Sequence, residues 1–153
     1  MEKTLVILKP SAIQRALVGE VIKRFEQKGL QLAGIKMMQL NDKILNEHYA
    51  HLADHPFFQR IKDSMMITPV IVTCWEGKDA VKVVRNMTGL TNSREAVPGT
   101  IRGDFSMSLE ENIVHTSDSV ENAKVELARF FSEDEIFDYK NWMTPFLYAN
   151  DEI

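Results

Sequence analysis

The sequence predicts a fold of the α/β (α+β) class, in which helices cover a four-stranded antiparallel sheet in the ferredoxin-like split β-α-β arrangement. Short apolar runs rich in β-branched residues alternate along the chain with segments whose apolar residues recur at helical spacing. Their order, β-α-β-α-α-β-α-loop-β-α, is typical of two split β-α-β halves. The 153 residues contain no internal repeat, low-complexity run or linker, so the whole chain, 1–153, is predicted to form one domain.

Helices are predicted where apolar side chains recur every three to four residues, and strands where the apolar run is short. The His55-Pro56 pair separates two short helices, and Asp118 stands three positions before Glu121, a spacing close to that of a capping box. In chain order the predicted elements are a strand over 4–8, a helix between Gly19 and Gly29, a strand over 30–40, helices over 42–53 and 57–66, a strand over 69–75, a helix over 78–87, a loop over 89–104, a strand over 112–115 and a helix over 120–130.

The composition excludes several classes of protein. Hydrophobic residues make up 44% of the chain and charged residues 26%, which is ordinary for a globular domain and argues against disorder. The formal charge of −4 provides no general basic field, so a small phosphorylated ligand fits better than duplex nucleic acid. No apolar stretch approaches the length of a membrane span, and we expect a cytoplasmic protein.

Two segments raise questions that composition alone does not answer. Cys74, the single cysteine, lies in an apolar run over 70–75 and is predicted to be a buried strand residue rather than a nucleophile. The segment over 132–153 has no clear period but is rich in aromatic residues. Because aromatic side chains favour burial, we expect another subunit to cover this segment.

Phosphate recognition would have to come from side chains, because neither the Walker phosphate loop nor the dinucleotide glycine fingerprint is present. Lys9 directly follows the first strand, Arg85 lies late in a helix, and Arg102 lies among small residues in the long loop. An arginine in such a loop can present its planar guanidinium to two phosphate oxygens. For Lys9 and Arg85 a solvated surface charge is the alternative, and local sequence favours it.

His115 is the candidate nucleophile. It ends an apolar strand and stands just before Ser117 and a capped helix, where backbone N–H groups and the positive helix end would favour a phosphate. A neutral imidazole attacks well when a carbonyl or carboxylate holds its other nitrogen, and Glu126 is a candidate for that role. A structural histidine with one hydrogen bond is an equally good interpretation at this point.

A second histidine cluster competes with His115. It contains Glu47, His48, His51 and His55, and the last two are four residues apart, so they could share a helix face as metal ligands. The cluster lacks an HExxH motif and a cysteine ligand, and Pro56 follows at once. A solvated helix face is therefore the preferred interpretation of the cluster.

The segment 112–119, Asn-Ile-Val-His-Thr-Ser-Asp-Ser, resembles the active-site motif N-x-x-H-x-S-D of nucleoside diphosphate kinases. The similarity runs from residue 4 to about residue 142. Other stretches match that family in the same order, and several independent motifs in order make a chance match very improbable. These stretches are Thr4-Leu5-Val6-Ile7-Leu8-Lys9-Pro10, His48-Tyr49, Pro56-Phe57-Phe58, residues 85–92 and residues 98–105.

The resemblance implies a role for each matching residue. His115 would carry the phosphate, with support from Ser117 and Glu126. Phe57 would stack on the nucleotide base, with Leu109 on the other face of the base and Ile61 nearby, and every base would be accepted. The residues implied to contact phosphate and sugar are Lys9, Tyr49, Arg85, Thr91, Arg102 and Asn112.

The implied activity is ping-pong transfer of the γ-phosphate from a nucleoside triphosphate to a nucleoside diphosphate through phosphohistidine. Mg²⁺ would be held mainly by the nucleotide phosphates rather than by protein ligands, and the assembly would be a homo-oligomer, a hexamer. A non-catalytic nucleotide or nucleic-acid binding module of the same fold is the alternative function. Thr116, His55 and Ser93 depart from the family's usual residues at their positions, although none of them removes a catalytic group.

Overall fold

The computed structural model describes all 153 residues and confirms the predicted fold class. Its strands are β1 (Glu2–Leu8), β2 (Gln31–Met38), β3 (Val70–Gly77) and β4 (Val114–Thr116). They form one sheet in the order β2-β3-β1-β4, and every neighbouring pair is antiparallel. The first strand in the chain is therefore an inner strand, and the last strand lies beside it at one edge.

The helices that connect and cover the strands are α1 (Pro10–Gln14), α2 (Val18–Lys28), α3 (Asp42–His48), α4 (Phe58–Met66), α5 (Ala80–Thr88), α6 (Ile101–Phe105), α7 (Val120–Phe130) and α8 (Thr144–Leu147). Helix α2 ends at Gly29, whose φ of 103° is a left-handed conformation that favours glycine. The side chains of Asn41 and Ser119 cap α3 and α7 by accepting backbone N–H groups of the first turn. No helix combines the length and apolarity needed to cross a bilayer.

The core lies on both faces of the sheet. Leu5 and Ile7 of β1 pack on one face with Leu127 of α7, while Val6 and Leu8 pack on the other face with Phe25 of α2. A strand buried on both faces appears in the sequence as a continuous apolar run, which explains why β1 is easily predicted. A shift of one residue would exchange the two faces, so the register of β1 against its neighbours is firmly set.

Cys74 lies in β3 and is fully buried, as predicted. Burial raises the pKa of its thiol to about 12. The thiol is therefore protonated at neutral pH and unreactive.

The structure differs from the sequence prediction mainly in short elements. The predicted loop over 89–104 contains the start of α6, which begins because the Thr100 hydroxyl accepts the N–H of Gly103. The predicted helix over 42–53 ends at His48 and continues as a 3-10 turn over Ala50–Leu52. Helices α1, α6 and α8 have five residues or fewer, which is too short to show a hydrophobic period.

Candidate active site

His115 is the middle residue of β4 and pairs with Ile7 of β1, on the face that α7 covers. Glu126 of α7 contacts the imidazole, and 2.7 Å separates His115 Nε2 from Glu126 Oε2. When the Nε2–H group donates a hydrogen bond to this carboxylate, the proton stays on Nε2 and Nδ1 has a free lone pair. The His115 side chain is 21% exposed, so a ligand can reach it.

Glu126 is ionised despite its position. Burial favours the neutral acid and acts to raise the pKa of Glu126, but the hydrogen bond with His115 and the proximity of Ser117 outweigh burial and lower the pKa to about 2. Ser117 is buried, and its hydroxyl makes no hydrogen bond of normal geometry. The second oxygen of Glu126 is also buried without a partner, so the carboxylate is directed at the imidazole.

The prediction of a solvated face for the histidine cluster is wrong for His48, which is only 5% exposed. The His48 ring packs edge to face against His115, with 4.5 Å between ring centroids and 81° between planes. Leu45 and His48 are three residues apart on α3, so the helix face that buries Leu45 also buries His48. His51 and His55 are exposed, as predicted.

His48 is also neutral. Burial, followed by the charge of His115, lowers the pKa of His48 to about 3. Its Nδ1 accepts an N–H from Arg129 of α7 at 2.9 Å, so the lone pair is in use and the proton lies on Nε2. The ring therefore supports His115 by packing and adds no positive charge next to it.

Three of these groups have the spacing of metal ligands. One ligand atom each from His48, His115 and Glu126 lies within 4.8 Å of the other two, a distance that a zinc ion could bridge after small movements. However, the guanidinium of Arg129 already occupies the His48 lone pair, and its charge would repel a metal ion. The arrangement favours hydrogen-bonded support of His115.

Lys9 and Asn112 join the end of β1 to the segment before β4. Lys9 Nζ donates to Asn112 Oδ1 at 2.7 Å and to the Glu110 carbonyl at 3.2 Å. The Asn112 side chain is buried and donates from Nδ2 to the carbonyls of Thr91 and Leu109, both at 3.0 Å. One amide therefore fixes three segments that the sequence predicts to contact a nucleotide.

Arg102 lies in α6 rather than in a loop, and it is buried. Its guanidinium donates through Nη1, Nε and Nη2 to the carbonyls of Gly89, Asn112 and Val114, at 2.9, 3.2 and 2.7 Å. A guanidinium has five N–H groups, so part of its donor capacity remains for a phosphate. Arg102 thus fixes the backbone around the candidate site.

The cations of the site lie close enough to influence each other. Burial, followed by the charge of Arg102, lowers the pKa of Lys9 to about 8. Burial, followed by the charge of Arg85, lowers the pKa of Arg102 to about 10. Arg85 itself is exposed in the last turn of α5. Mutually destabilised positive charges favour the binding of an anion.

A strained turn precedes His115. Ile113 has a φ of 75°, and the Val114 N–H bonds back to the Asn112 carbonyl at 2.9 Å, which is a γ-turn. Such a conformation costs about 1–3 kcal/mol and requires surrounding support. The Ser11 hydroxyl accepts the Ile113 N–H at 3.2 Å, and the Lys9 N–H bonds to the Ile113 carbonyl at 2.9 Å. This turn delays the start of β4 to Val114.

The predicted base-binding residues lie on two segments that face each other. Phe57 is the residue just before the first turn of α4, and its side chain is half-buried. Ile61 lies one turn further along this helix and is partly buried. Leu109 lies on the segment 106–112 and is 57% exposed. Ser64 of α4 donates to the Glu111 carboxylate at 2.6 Å, which brings the helix and this segment together. We call the space between Phe57 and Leu109, where the family resemblance would place the base, the base slot.

Tyr49 and Thr91 complete the predicted set. Tyr49 directly follows α3 and is buried, and burial, reinforced by the charge of Glu126, raises the pKa of its phenol. The phenol therefore remains a hydrogen-bond donor at neutral pH. Thr91 is exposed, and its carbonyl accepts from Asn112.

The three departures from the family pattern are accommodated without loss of a site group. The His55 ring lies 4.9 Å from the Phe57 ring at 35°, so it adds to the aromatic surface at the start of α4. Thr116 is buried and pairs with Val6 in regular register. Ser93 is buried, and its hydroxyl has no hydrogen-bond partner.

Three functional features have little signal in the sequence. Arg129 holds His48, yet the two residues are 81 positions apart. The positive φ of Ile113 could not be foreseen, because β-branched residues rarely adopt it. For His48 itself, the spacing from the apolar Leu45 was the available signal.

Comparison with known proteins tests the family resemblance. The family model described as nucleoside diphosphate kinase matches residues 2–136. Similar sequences include a nucleoside diphosphate kinase of Parabacteroides distasonis, 66% identical over 99% of both chains, and nucleoside diphosphate kinase A of Rattus norvegicus, 46% identical over 96% of this chain and 97% of that one. A halophilic nucleoside diphosphate kinase from Halobacterium salinarum, solved in complex with CDP, superposes with a TM-score of 0.94 at 38% identity over 97% of this chain and 99% of that one. The chain therefore belongs to the nucleoside diphosphate kinase family.

Proposed function

We propose that this protein transfers the γ-phosphate of a nucleoside triphosphate to a nucleoside diphosphate in two steps, with His115 as the covalent carrier. The observation that carries the proposal is the 2.7 Å contact between His115 Nε2 and the ionised Glu126. A carboxylate at this position fixes one tautomer of the imidazole and stabilises the charge that the ring gains during attack.

In the first step, Nδ1 of His115 attacks the γ-phosphorus. The N–P bond forms while the bond from phosphorus to the bridging oxygen breaks, and the nucleoside diphosphate leaves with that electron pair. The proton on Nε2 stays shared with Glu126 throughout. In the second step a different nucleoside diphosphate attacks the phosphohistidine with a terminal phosphate oxygen, and the reverse bond changes restore the free imidazole.

Charge on the transferring group would be met by Lys9, Arg85 and Arg102, because positioned charges supply most of the rate in phosphoryl transfer. A hard cation such as Mg²⁺ keeps several waters and binds mainly through substrate phosphates, while Glu126 Oε2 is engaged with His115. Mg²⁺ therefore enters the proposal as a partner of the nucleotide phosphates, where it would neutralise part of their charge. Asn112 and Tyr49 would hold the sugar and phosphates in place.

The base would lie between Phe57 and Leu109, with Ile61 beside it and Thr91 near the phosphates. Stacking on an aromatic ring uses a surface that every base has, so the proposed enzyme accepts all common nucleotides. A non-catalytic binding module is the alternative, but such a module would not need an ionised carboxylate hydrogen-bonded to His115.

Labelling with γ-labelled ATP tests the carrier. Wild-type protein should gain a label that survives alkali and is lost in acid, as a phosphoramidate does. His115→Ala should lose the label and the exchange of phosphate between nucleotides, yet still bind nucleotide. A matched control, His51→Ala, removes an exposed imidazole and should keep both. Label that persists in His115→Ala, or moves to Ser117, contradicts the mechanism.

The proposed assembly is a homohexamer in the cytoplasm. Apolar side chains remain exposed on the outer strand β2, at Ile35 and Met37, and on the tail, at Trp142 and Phe146, where a neighbouring subunit would cover them. Sedimentation velocity at micromolar concentration tests the assembly, and a stable monomer would contradict it. Fractionation of cells that express the tagged protein tests the location.

A further inference from the structure

An ion pair outside the predicted site joins the two segments that form the base slot. Arg60 Nε of α4 lies 3.0 Å from Glu110 Oε2 on the segment 106–112. The Ser64 hydroxyl makes a second connection to Glu111, one turn further along α4. We call the contact between Arg60 and Glu110 the rim ion pair.

Each partner of the rim ion pair is the chain neighbour of a predicted base-binding residue. Arg60 immediately precedes Ile61, and Glu110 immediately follows Leu109. A contact of 3.0 Å between their side chains therefore limits how far the walls that carry Ile61 and Leu109 can separate. The pair acts on the width of the slot without needing to touch the base.

Glu110 also connects the rim to the phosphate end of the site. Its carbonyl accepts an N–H from Lys9 Nζ at 3.2 Å, and its carboxylate raises the pKa of that lysine against the larger effect of burial. One carboxylate oxygen is paired with Arg60, while the other is buried and has no partner. The position of Glu110 is therefore fixed from both sides, by Lys9 through its backbone and by Arg60 through its side chain.

We propose that Arg60 and Glu110 are positioning residues whose ion pair holds the walls of the base slot together, so that it controls nucleotide affinity and release. The proposal rests on the proposed function and adds residues that do not take part in the chemistry. It places nucleotide entry at the rim, where α4 moves away from the segment 106–112 while the pair is open.

The rim ion pair is weak enough to open and close during each catalytic cycle. The Arg60 side chain is 72% exposed and the Glu110 side chain 26% exposed, so water and salt weaken their attraction. Closure that opens easily retains a substrate without trapping the product. Loss of such a pair should raise KM for nucleotides roughly two- to fivefold.

Charge reversal separates this role from a general effect of charge on an anionic ligand. In the proposal, Arg60→Glu and Glu110→Arg each raise KM and speed the release of a fluorescent nucleoside diphosphate, while kcat stays within about twofold. The double exchange restores both values, because the pair is remade with opposite polarity. Arg60→Lys keeps the pair and should be close to wild type. Lys23 is an exposed residue of α2 on the other side of the sheet. Lys23→Glu makes the same change of net charge as Arg60→Glu and should have little effect.

Three results would overturn the proposal. One is a fall in KM for Glu110→Arg with additive effects in the double variant, which would mean that only the charge near the phosphates matters. The second is wild-type release in Arg60→Glu. If Glu110→Arg fails to fold, Arg60→Gln assayed at low and high salt decides, because salt that screens the pair must bring the KM of the wild-type protein towards that of the variant. A ratio of the two KM values that stays the same at both salt concentrations is the third contrary result. Absence of phosphate exchange in the wild-type protein would instead contradict the proposed function.

Discussion

Replacement of Glu126 by glutamine tests the arrangement around His115 most directly. The glutamine side chain has nearly the same shape, but it is neutral and cannot provide a carboxylate to the imidazole. Glu126 Oε2 lies 2.7 Å from His115 Nε2, and the Glu126 side chain is only 12% exposed. The substitution therefore removes one charged hydrogen bond from a largely desolvated position.

The expected magnitude follows from that single contact. A hydrogen bond to a charged group contributes about 1.5–3 kcal/mol, and each 1.36 kcal/mol corresponds to about tenfold in rate. Because positive charge develops on the ring as Nδ1 attacks phosphorus, most of this loss should fall on the transition state. We expect the rate of phosphoenzyme formation to drop roughly 10- to 150-fold, with nucleotide affinity changed less than about twofold.

Rapid-quench measurement of labelled phosphoenzyme gives the rate of the first step, and equilibrium binding of a nucleoside diphosphate gives the affinity. Glu121→Gln is the matched control, because Glu121 lies in the exposed first turn of the same helix and should retain wild-type rates. Wild-type phosphorylation in Glu126→Gln would refute the idea that this carboxylate orients His115. A loss of binding equal to the loss of rate would mean that Glu126 acts on the nucleotide instead.

Further outcomes follow from the geometry. Lys9 has a pKa of about 8 in the free enzyme, so it loses its charge as pH rises above about 8, and kcat/KM should fall in that range. Lys9→Arg should remove this fall. A pH profile of kcat/KM for both proteins measures the difference. The folded-state pKa of Glu126 is lowered from 4.5 to about 2, so the free energy of unfolding that depends on its charge is present above pH 4.5 and is lost as pH falls towards 2. Urea unfolding at several pH values should therefore show the difference between wild type and Glu126→Gln shrinking in that window, and a constant difference would contradict the assignment. Arg102→Lys should lower the free energy of unfolding by about 2–4 kcal/mol, because a lysine cannot reach the three carbonyls that Arg102 binds. Phe57→Ala should weaken guanine and adenine nucleotides alike, by about 1–3 kcal/mol in equilibrium binding, and a selective loss for one base would contradict stacking.

Much of the fold could be predicted because its signals are local. The strand β1 is a continuous apolar run, and α2 and α7 carry apolar residues at helical spacing. Short elements were missed for the opposite reason. Helix α6 has five residues and starts with one hydrogen bond from Thr100, so tertiary contacts rather than periodicity decide its conformation.

The predicted site residues are spread over most of the chain, and the sequence could name them only through motifs. The structure brings Lys9, Asn112 and Arg102 into one hydrogen-bonded group. It also shows that Asn112 and Arg102 bind backbone carbonyls, a structural role that the motifs did not indicate. Whether each contacts the nucleotide stays a prediction.

The sequence by itself determined the fold class, the family and the candidate nucleophile His115, because these depend on local patterns and on motifs in a fixed order. Only the tertiary structure decided that His48 is a neutral packing partner of His115, that Arg129 holds it, and that Arg60 joins Glu110 at the rim. Each of these contacts joins residues far apart in the chain, and it forms only when α3, α4 and α7 pack in one particular way. The burial that results also sets the charges, since the same histidine on a solvated helix face would keep its ordinary pKa.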